Sequence, residues 1–218
     1  MISILKNNSL KTIALVFLSA GTFLLVQVLM PLISFQIWSI GQSFDKALIS
    51  PQQSEGSKIL GVSIQNKENF SYFVSSMKRE SIPNYEKFNL TVPALKIEGE
   101  EVRVDSNDLS KSLAHLPGSA LPGEKGNIFI SGHSALSNLF DLKKVVFSKL
   151  SDLKKGDKII VEAQGVKFNY EVVGFSVVNP TDVSVINAPD ERGRFITLMT
   201  CVPPGLNFKR LVVLGKML

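Results

Sequence analysis

The stretch Phe195-Ile-Thr-Leu-Met-Thr-Cys201 decides how this chain is read. Aromatic, aliphatic and β-branched side chains fill it, and it ends on the single cysteine among 218 residues. Such a run reads as a strand. Alternation puts Phe195, Thr197, Met199 and Cys201 on one side and Ile196, Leu198 and Thr200 on the other. Nine residues further on, Arg210 opens a second apolar run, Leu211-Val-Val-Leu214. If the two runs pair, Cys201 faces Arg210 across about 5 Å, the spacing of neighbouring strands. The connecting Val-Pro-Pro-Gly-Leu-Asn-Phe-Lys then makes an open rim where a substrate could lie.

One of only two histidines ends a third strand-like run, Ile128-Phe-Ile-Ser-Gly-His133. A thiol, an imidazole and a guanidinium at strand ends are the parts of a nucleophilic acyl-transfer site. The nucleophile has to be thiolate, and an ordinary thiol is mostly protonated at neutral pH. Positive charge from His133 or Arg210 favours the anion. A fixed guanidinium suits a tetrahedral oxyanion because it stays charged and offers several donors. The imidazole can protonate a leaving amine and later take a proton from the incoming nucleophile. His115, just before a Pro/Gly-dense loop, reads as structural.

Working outward, Leu116 to Gly126 is dense in Pro and Gly and reads as a loop. Asn89 to Ile97 and Glu101 to Val104 read as strands flanking a turn at Gly99. Ser134 to Leu142 reads as a short helix capped by Ser134. Lys158 to Ala163 and Val166 to Val178 form a hairpin turned by Gln164-Gly165. Asn179 to Arg194 is a long irregular connection. About eight short strands with little helix point to a closed barrel or a sandwich.

The N-terminal part differs in kind. Thr12 to Met30 is 19 residues without a charge, long enough to cross about 30 Å of hydrocarbon. Lys6 and Lys11 precede it, and no Lys or Arg follows until Lys46. That asymmetry puts the N-terminus in the cytoplasm and the rest outside. A cleaved signal peptide is the alternative, and it exports the same C-terminal bulk. The expected division is a cytoplasmic tail over 1–11, a single-pass membrane anchor over 12–40, an extracellular stem over 41–83 and a catalytic domain over 84–218. Within the stem, Phe70, Phe73, Val74 and Met77 recur at helical spacing and predict one helix.

Other classes recede. One cysteine excludes an intrachain disulfide, and two histidines with one cysteine are too few for an ordinary structural zinc site. The net charge of +5 is modest, the lysines are scattered, and no nucleic-acid-binding motif appears.

At these residues the chain resembles the sortases, cysteine transpeptidases of bacterial cell surfaces, with class D and E members the nearest in pattern. Thr197-Leu-Met-Thr-Cys201 looks like the TLxTC signature of that family. The longer run from Thr200 to Gly215 looks like TC-x-P-x-G-x-N-x-x-R-L-x-V-x-G. His115 to Asn127 resembles H-x-PG-[ST]-ALPG-x-x-GN. Ser134 stands where many members have Arg, and Val202 where Thr is frequent. The resemblance implies a mainly β fold, a closed eight-stranded barrel with short helices behind an N-terminal transmembrane helix. It implies His133, Cys201 and Arg210 as catalytic residues, with Leu198, Thr200 and Asn207 as substrate contacts. It also implies cleavage of an LPxTG-like sorting signal through a thioacyl-enzyme, resolved by an amine of a cell-wall precursor or a pilin. No cofactor is expected. Some members bind calcium, and Glu124, Asp182, Asp190 and Glu191 are scattered acids that define no site. The alternatives are an exported cysteine peptidase that hydrolyses its substrate and an inactive β-barrel adaptor.

Overall fold

A computed structural model describes residues 2–43, 62–67, 70–75, 79, 81–110, 113–134, 145–190, 192–204 and 208–218. The chain divides into two units, Met1–Phe44 and Asp45–Leu218. The first is one helix, α1 (Ile2–Ser43). Among the described residues no helix is long and apolar enough to cross a membrane.

The second unit begins with a hairpin, β1 (Val62–Lys67) and β2 (Phe70–Ser75), paired from Lys67↔Phe70 to Val62↔Ser75. The helix predicted from Phe70, Phe73 and Val74 is therefore a strand, and Met77 lies outside the described residues. Phe, Tyr and Val suit a pleated surface, and so short a segment gains little as an isolated helix.

Eight further strands close a barrel. They are β3 (Lys87–Val92), β4 (Ile97–Arg103), β5 (Leu113–His115), β6 (Gly126–Ser131), β7 (Lys158–Ala163), β8 (Val166–Val178), β9 (Arg194–Val202) and β10 (Lys209–Met217). Their order around the barrel is β10-β8-β7-β3-β4-β5-β6-β9. Alternation fills the interior: Phe88, Leu90 and Val92 on β3, Ile159 and Val161 on β7, and Leu211 and Val213 on β10 are all buried. The two-residue connection Gln164-Gly165 joins β7 to β8, with Ala163↔Val166 as the last pair.

The turn between β3 and β4 is not at Gly99. It is the 3-10 turn Pro93–Leu95, closed by Lys96 N–H donating to the Pro93 carbonyl at 3.0 Å. Pro93 supplies the fixed φ that starts such a turn. Gly99 lies inside β4 at φ +60°, where the register jumps between Leu90↔Glu100 and Val92↔Ile97. It is a bulge, stabilised by Gly99 N–H donating to Thr91 Oγ1 at 3.0 Å.

Two pairings are parallel, β4 with β5 and β6 with β9. The second matters most. It directs the C-terminal ends of β6 and β9 the same way, and β10, antiparallel to β9, begins at that end. The long 179–193 connection lies over the outer face there. Val183, Val185 and Val178 pack on a buried cluster of Leu116, Phe129, Ile186, Met199 and Val212.

Candidate active site

Register brings the three predicted groups to one end of the barrel. Cys201 pairs with Arg210, as the sequence predicts. In the parallel ladder Ser131 pairs with Met199. Gly132 N–H donates to the Met199 carbonyl at 3.1 Å, which continues the ladder past the end of β6. His133 is two residues after Ser131, and Cys201 is two after Met199. β6 itself stops at Ser131, so the ladder brings the chain to the Cys201 end of the barrel two residues before His133.

The site is closed rather than an open rim. Cys201 is 2% exposed and Arg210 1%. Both lie on the face that Met199 and Val212 occupy, the face against which Val183, Val185 and Ile186 pack nearer the middle of the strands. Burial pushes the Cys201 thiol up from 9.0 to about 11, against the pull of the Arg210 guanidinium beside it. Burial also lowers the pKa of Arg210, and the thiol acts the other way. The desolvation cost of thiolate therefore exceeds what one neighbouring cation returns. The guanidinium itself stays held, with Arg210 Nη1 donating to the Lys209 carbonyl at 3.1 Å. His133 is half-buried and reaches solvent.

The expected substrate contacts fare differently. Leu198 is buried and pairs with Val213, so it faces the barrel interior, away from Cys201. Thr200 is on that same interior parity. Its hydroxyl donates to the Gly132 carbonyl at 2.8 Å. Strand alternation, already explicit in the sequence, separates both from the thiol face. Asn207 lies outside the described residues, and so does most of the predicted helix over 134–142; Ser134 itself is buried.

Sequence reading passed over two residues that organise the site. Asn127 accepts from Thr197 Oγ1 at 3.0 Å and donates Nδ2 to the Ile186 carbonyl at 3.0 Å. It thereby ties β6, β9 and the covering connection together. Its signal was an amide inside an otherwise apolar strand. Gly132 is the second. A Cβ there would meet Leu113 Cδ2 at 2.5 Å and Phe147 Cδ2 at 2.6 Å, so a larger residue would push these buried side chains aside.

The second histidine also has a serine and an aspartate beside it. Ser119 Oγ is 2.9 Å from His115 Nε2, and Asp105 Oδ1 is 3.6 Å from Nδ1. The proton placement is wrong for a nucleophilic serine. Nε2 also contacts the Ala120 carbonyl at 3.0 Å, which can only accept, so the neutral ring carries its hydrogen there. Nδ1 then accepts the Asp105 backbone N–H at 3.3 Å. The Ser119 hydroxyl donates to the Leu116 carbonyl at 2.8 Å. His115 is 0% exposed and Ser119 5%. Arg79 closes the group, binding Asp105 Oδ2 at 2.6 Å and the Ser119 carbonyl. The Asp105 carboxyl is pushed up by burial, but hydrogen bonds to it and the Arg79 charge outweigh this and leave it lowered. His115 is structural.

The scattered acids are engaged in loops. Glu124 accepts from Leu121 N–H at 2.8 Å and from Ser81. Asp182 accepts from Ser184 N–H at 3.1 Å, and Asp190 from Arg192 N–H at 2.7 Å. Glu191 lies outside the described residues. Among the described residues no three His, Cys, Asp or Glu side chains gather as a metal site.

A closed barrel with a thiol, a guanidinium and an imidazole at one strand end is the architecture of a cysteine acyl-transfer enzyme. Residues 82–218 match the sortase domain family. The chain is 30% identical to Sortase D of Bacillus subtilis (strain 168) over 169 residues, 76% of each chain. It is 35% identical to Sortase A of Bacillus anthracis over 137 residues, 63% of this chain and 57% of that one. Of solved structures, the lid mutant of Sortase A from Corynebacterium diphtheriae aligns with TM-score 0.55 and 31% identity, covering 64% of this chain and 73% of that one. Sortase C-1 from Actinomyces oris aligns with TM-score 0.53 and 29% identity, over 60% and 73%. The chain belongs to the sortase family, whose members are cysteine transpeptidases acting on LPxTG-type surface proteins and pilins.

Proposed function

We propose that this chain is a membrane-anchored transpeptidase that cleaves an LPxTG-like sorting signal through a thioacyl-enzyme on Cys201. It then passes the acyl group to an amine of a cell-wall precursor or a pilin. The observation that carries this reading is the register that sets Arg210 opposite Cys201, with the parallel β6–β9 ladder ending two residues before His133 at the same end of the barrel.

The chemistry follows from the three groups. The Cys201 sulfur attacks the scissile carbonyl carbon, and the thiol proton passes to the His133 ring. Because the resting thiol sits at about 11, attack without a base to take that proton is slow at neutral pH. The carbonyl π pair moves onto oxygen, and the Arg210 guanidinium stabilises that charge. Collapse re-forms the carbonyl and expels the amine, which leaves with the proton from His133. An incoming amine attacks the thioester, gives its proton to His133, and the thiolate leaves and is reprotonated.

The membrane anchor rests on α1. Ile13, Leu15, Phe17, Leu18, Phe23 and Leu24 are exposed on it, a surface that costs free energy in water. The hydroxyls there are satisfied within the helix: Ser19 Oγ donates to the Val16 carbonyl and Thr22 Oγ1 to that of Leu18, both at 2.9 Å. Hydrocarbon demands such internal pairing. With Lys6 and Lys11 before the span, 1–11 is cytoplasmic, 12–40 the anchor, 41–83 the extracellular stem and 84–218 the catalytic domain.

The test uses the full chain in detergent micelles with an LPxTG-like peptide and an amine acceptor. Cleavage with an acyl adduct on Cys201, visible by mass spectrometry, is expected. Equal turnover by Cys201→Ala would remove the nucleophile.

A further inference from the structure

The geometry points to Thr200 as a positioning residue for the reaction: its hydroxyl, bound to the Gly132 carbonyl, holds the His133 backbone in register with Cys201. The inference rests on the catalytic reading of His133 above, and it adds a residue that does not touch substrate.

The side of the sheet comes first. Thr200 and Cys201 are neighbours on β9, so their side chains leave opposite faces. Cys201 is on the outer face with Met199. Thr200 is on the inner parity and is buried. A substrate lying against the sulfur is screened from the Thr200 hydroxyl by the sheet itself. The one hydrogen bond that hydroxyl donates goes to Gly132 at 2.8 Å.

The target of that bond is the peptide group joining Gly132 to His133. β6 ends at Ser131, so regular ladder pairing no longer fixes the backbone where His133 sits. Three bonds replace it. Gly132 N–H donates to the Met199 carbonyl at 3.1 Å, and Phe147 N–H donates to the His133 carbonyl at 3.1 Å. The Thr200 hydroxyl supplies the third. Packing reinforces them, since Leu113 and Phe147 close on Gly132 so tightly that a Cβ would push them aside. Among these tethers only the Thr200 bond comes from a side chain, and the next residue after Thr200 is the nucleophile. The residue therefore couples the imidazole to the sulfur through one peptide plane.

The same strand uses its other threonine in a related way. Thr197, on the outer face, donates to Asn127 on β6 at 3.0 Å. The two hydroxyls cross-link β9 to β6 from opposite faces, and Thr200 is the one at the reactive end.

The experiment compares Thr200→Val, which keeps the shape and loses the donor, with Thr200→Ser, which keeps the donor. Both are measured in the full chain in detergent, with peptide and amine, across pH. In Thr200→Val, kcat falls about tenfold to a hundredfold, the size expected when a catalytic group is slightly misplaced, and KM stays within about twofold of wild type. Thr200→Ser restores most of kcat. Amide exchange at Phe147, read by NMR without any substrate, accelerates in Thr200→Val and not in Thr200→Ser. On a His133→Ala background, Thr200→Val adds no further loss.

Opposite outcomes overturn the inference. A raised KM at unchanged kcat makes Thr200 a substrate contact. Lower melting temperature with wild-type kcat per folded molecule makes it merely structural. Additive losses in the double variant show that Thr200 acts without His133. If His133→Ala alone keeps wild-type turnover, the acid/base reading fails instead, and the Phe147 exchange result still reports whether Thr200 holds the backbone.

Discussion

The two histidines sit in opposite environments, and the contrast shows what makes an imidazole reactive. His115 has a serine hydroxyl at 2.9 Å and an aspartate at 3.6 Å. It is buried, and both ring nitrogens are committed to partners. His133 is half-buried and reaches solvent, and it follows the strand end that lies beside the thiol and the guanidinium. The first holds loop 116–126 to β4 and β5. The second has access, and it has a nucleophile whose own proton is hard to remove. Atom types and distances alone would favour His115, whereas tautomer and access favour His133.

Substitutions at the two corners should separate turnover from stability. The largest effect belongs to Cys201→Ala, which should lower turnover by at least about a thousandfold while the melting curve stays cooperative. Arg210→Met should come next, costing about 100- to 1,000-fold in kcat as the charge on the oxyanion loses its partner. It should also move the thiol above its present value of about 11, since the guanidinium now lowers it. Iodoacetamide alkylation of the folded protein as a function of pH reads that shift. A thiol titrating near 8.5 in the resting enzyme would contradict the closed site.

At the other corner, Ser119→Ala should reduce stability by about 1–3 kcal/mol, since it removes the hydroxyl that Phe129 N–H and the His115 ring share and that itself donates to the Leu116 carbonyl. Urea unfolding measures it. Turnover per folded molecule should stay within about twofold. A collapse of turnover with intact stability would make His115 part of the reaction and break the contrast.

The smallest effect is a pH slope. The folded thiol at about 11 holds its proton where an unfolded thiol at about 9 has lost it. Between those values the unfolded state binds fewer protons, so stability falls as pH rises. The stabilisation is complete below about pH 9 and lost through about pH 11. The difference between wild type and Cys201→Ala across that window isolates the contribution. No difference would mean the sulfur is not desolvated.

Much of this was legible along the chain. Apolar alternation identified β9, β10 and the β7–β8 hairpin, because each strand buries one face or both and its residues say so. Pro-Gly density marked loop 116–126. Elsewhere local signals misled. Phe70, Phe73 and Val74 fit a helical period but pair with β1, and Gly99 looked like a turn but accommodates a bulge. In both cases a partner strand, absent from any local window, settled the conformation. Asn127 was visible as a polar residue in an apolar run, yet its partners are 59 and 70 residues away.

The sequence by itself determined which residue types are available for chemistry and near which strand end each lies. It also determined that Cys201 and Arg210 would face each other, because a short connection forces adjacent antiparallel pairing. Only the tertiary structure decided that β6 lies parallel to β9 and that Asn127 ties both strands to the 179–193 connection. The β6–β9 pairing joins residues far apart in the chain, such as Ser131 and Met199, and nothing in a local run of side chains encodes which strand becomes its neighbour in a closed barrel.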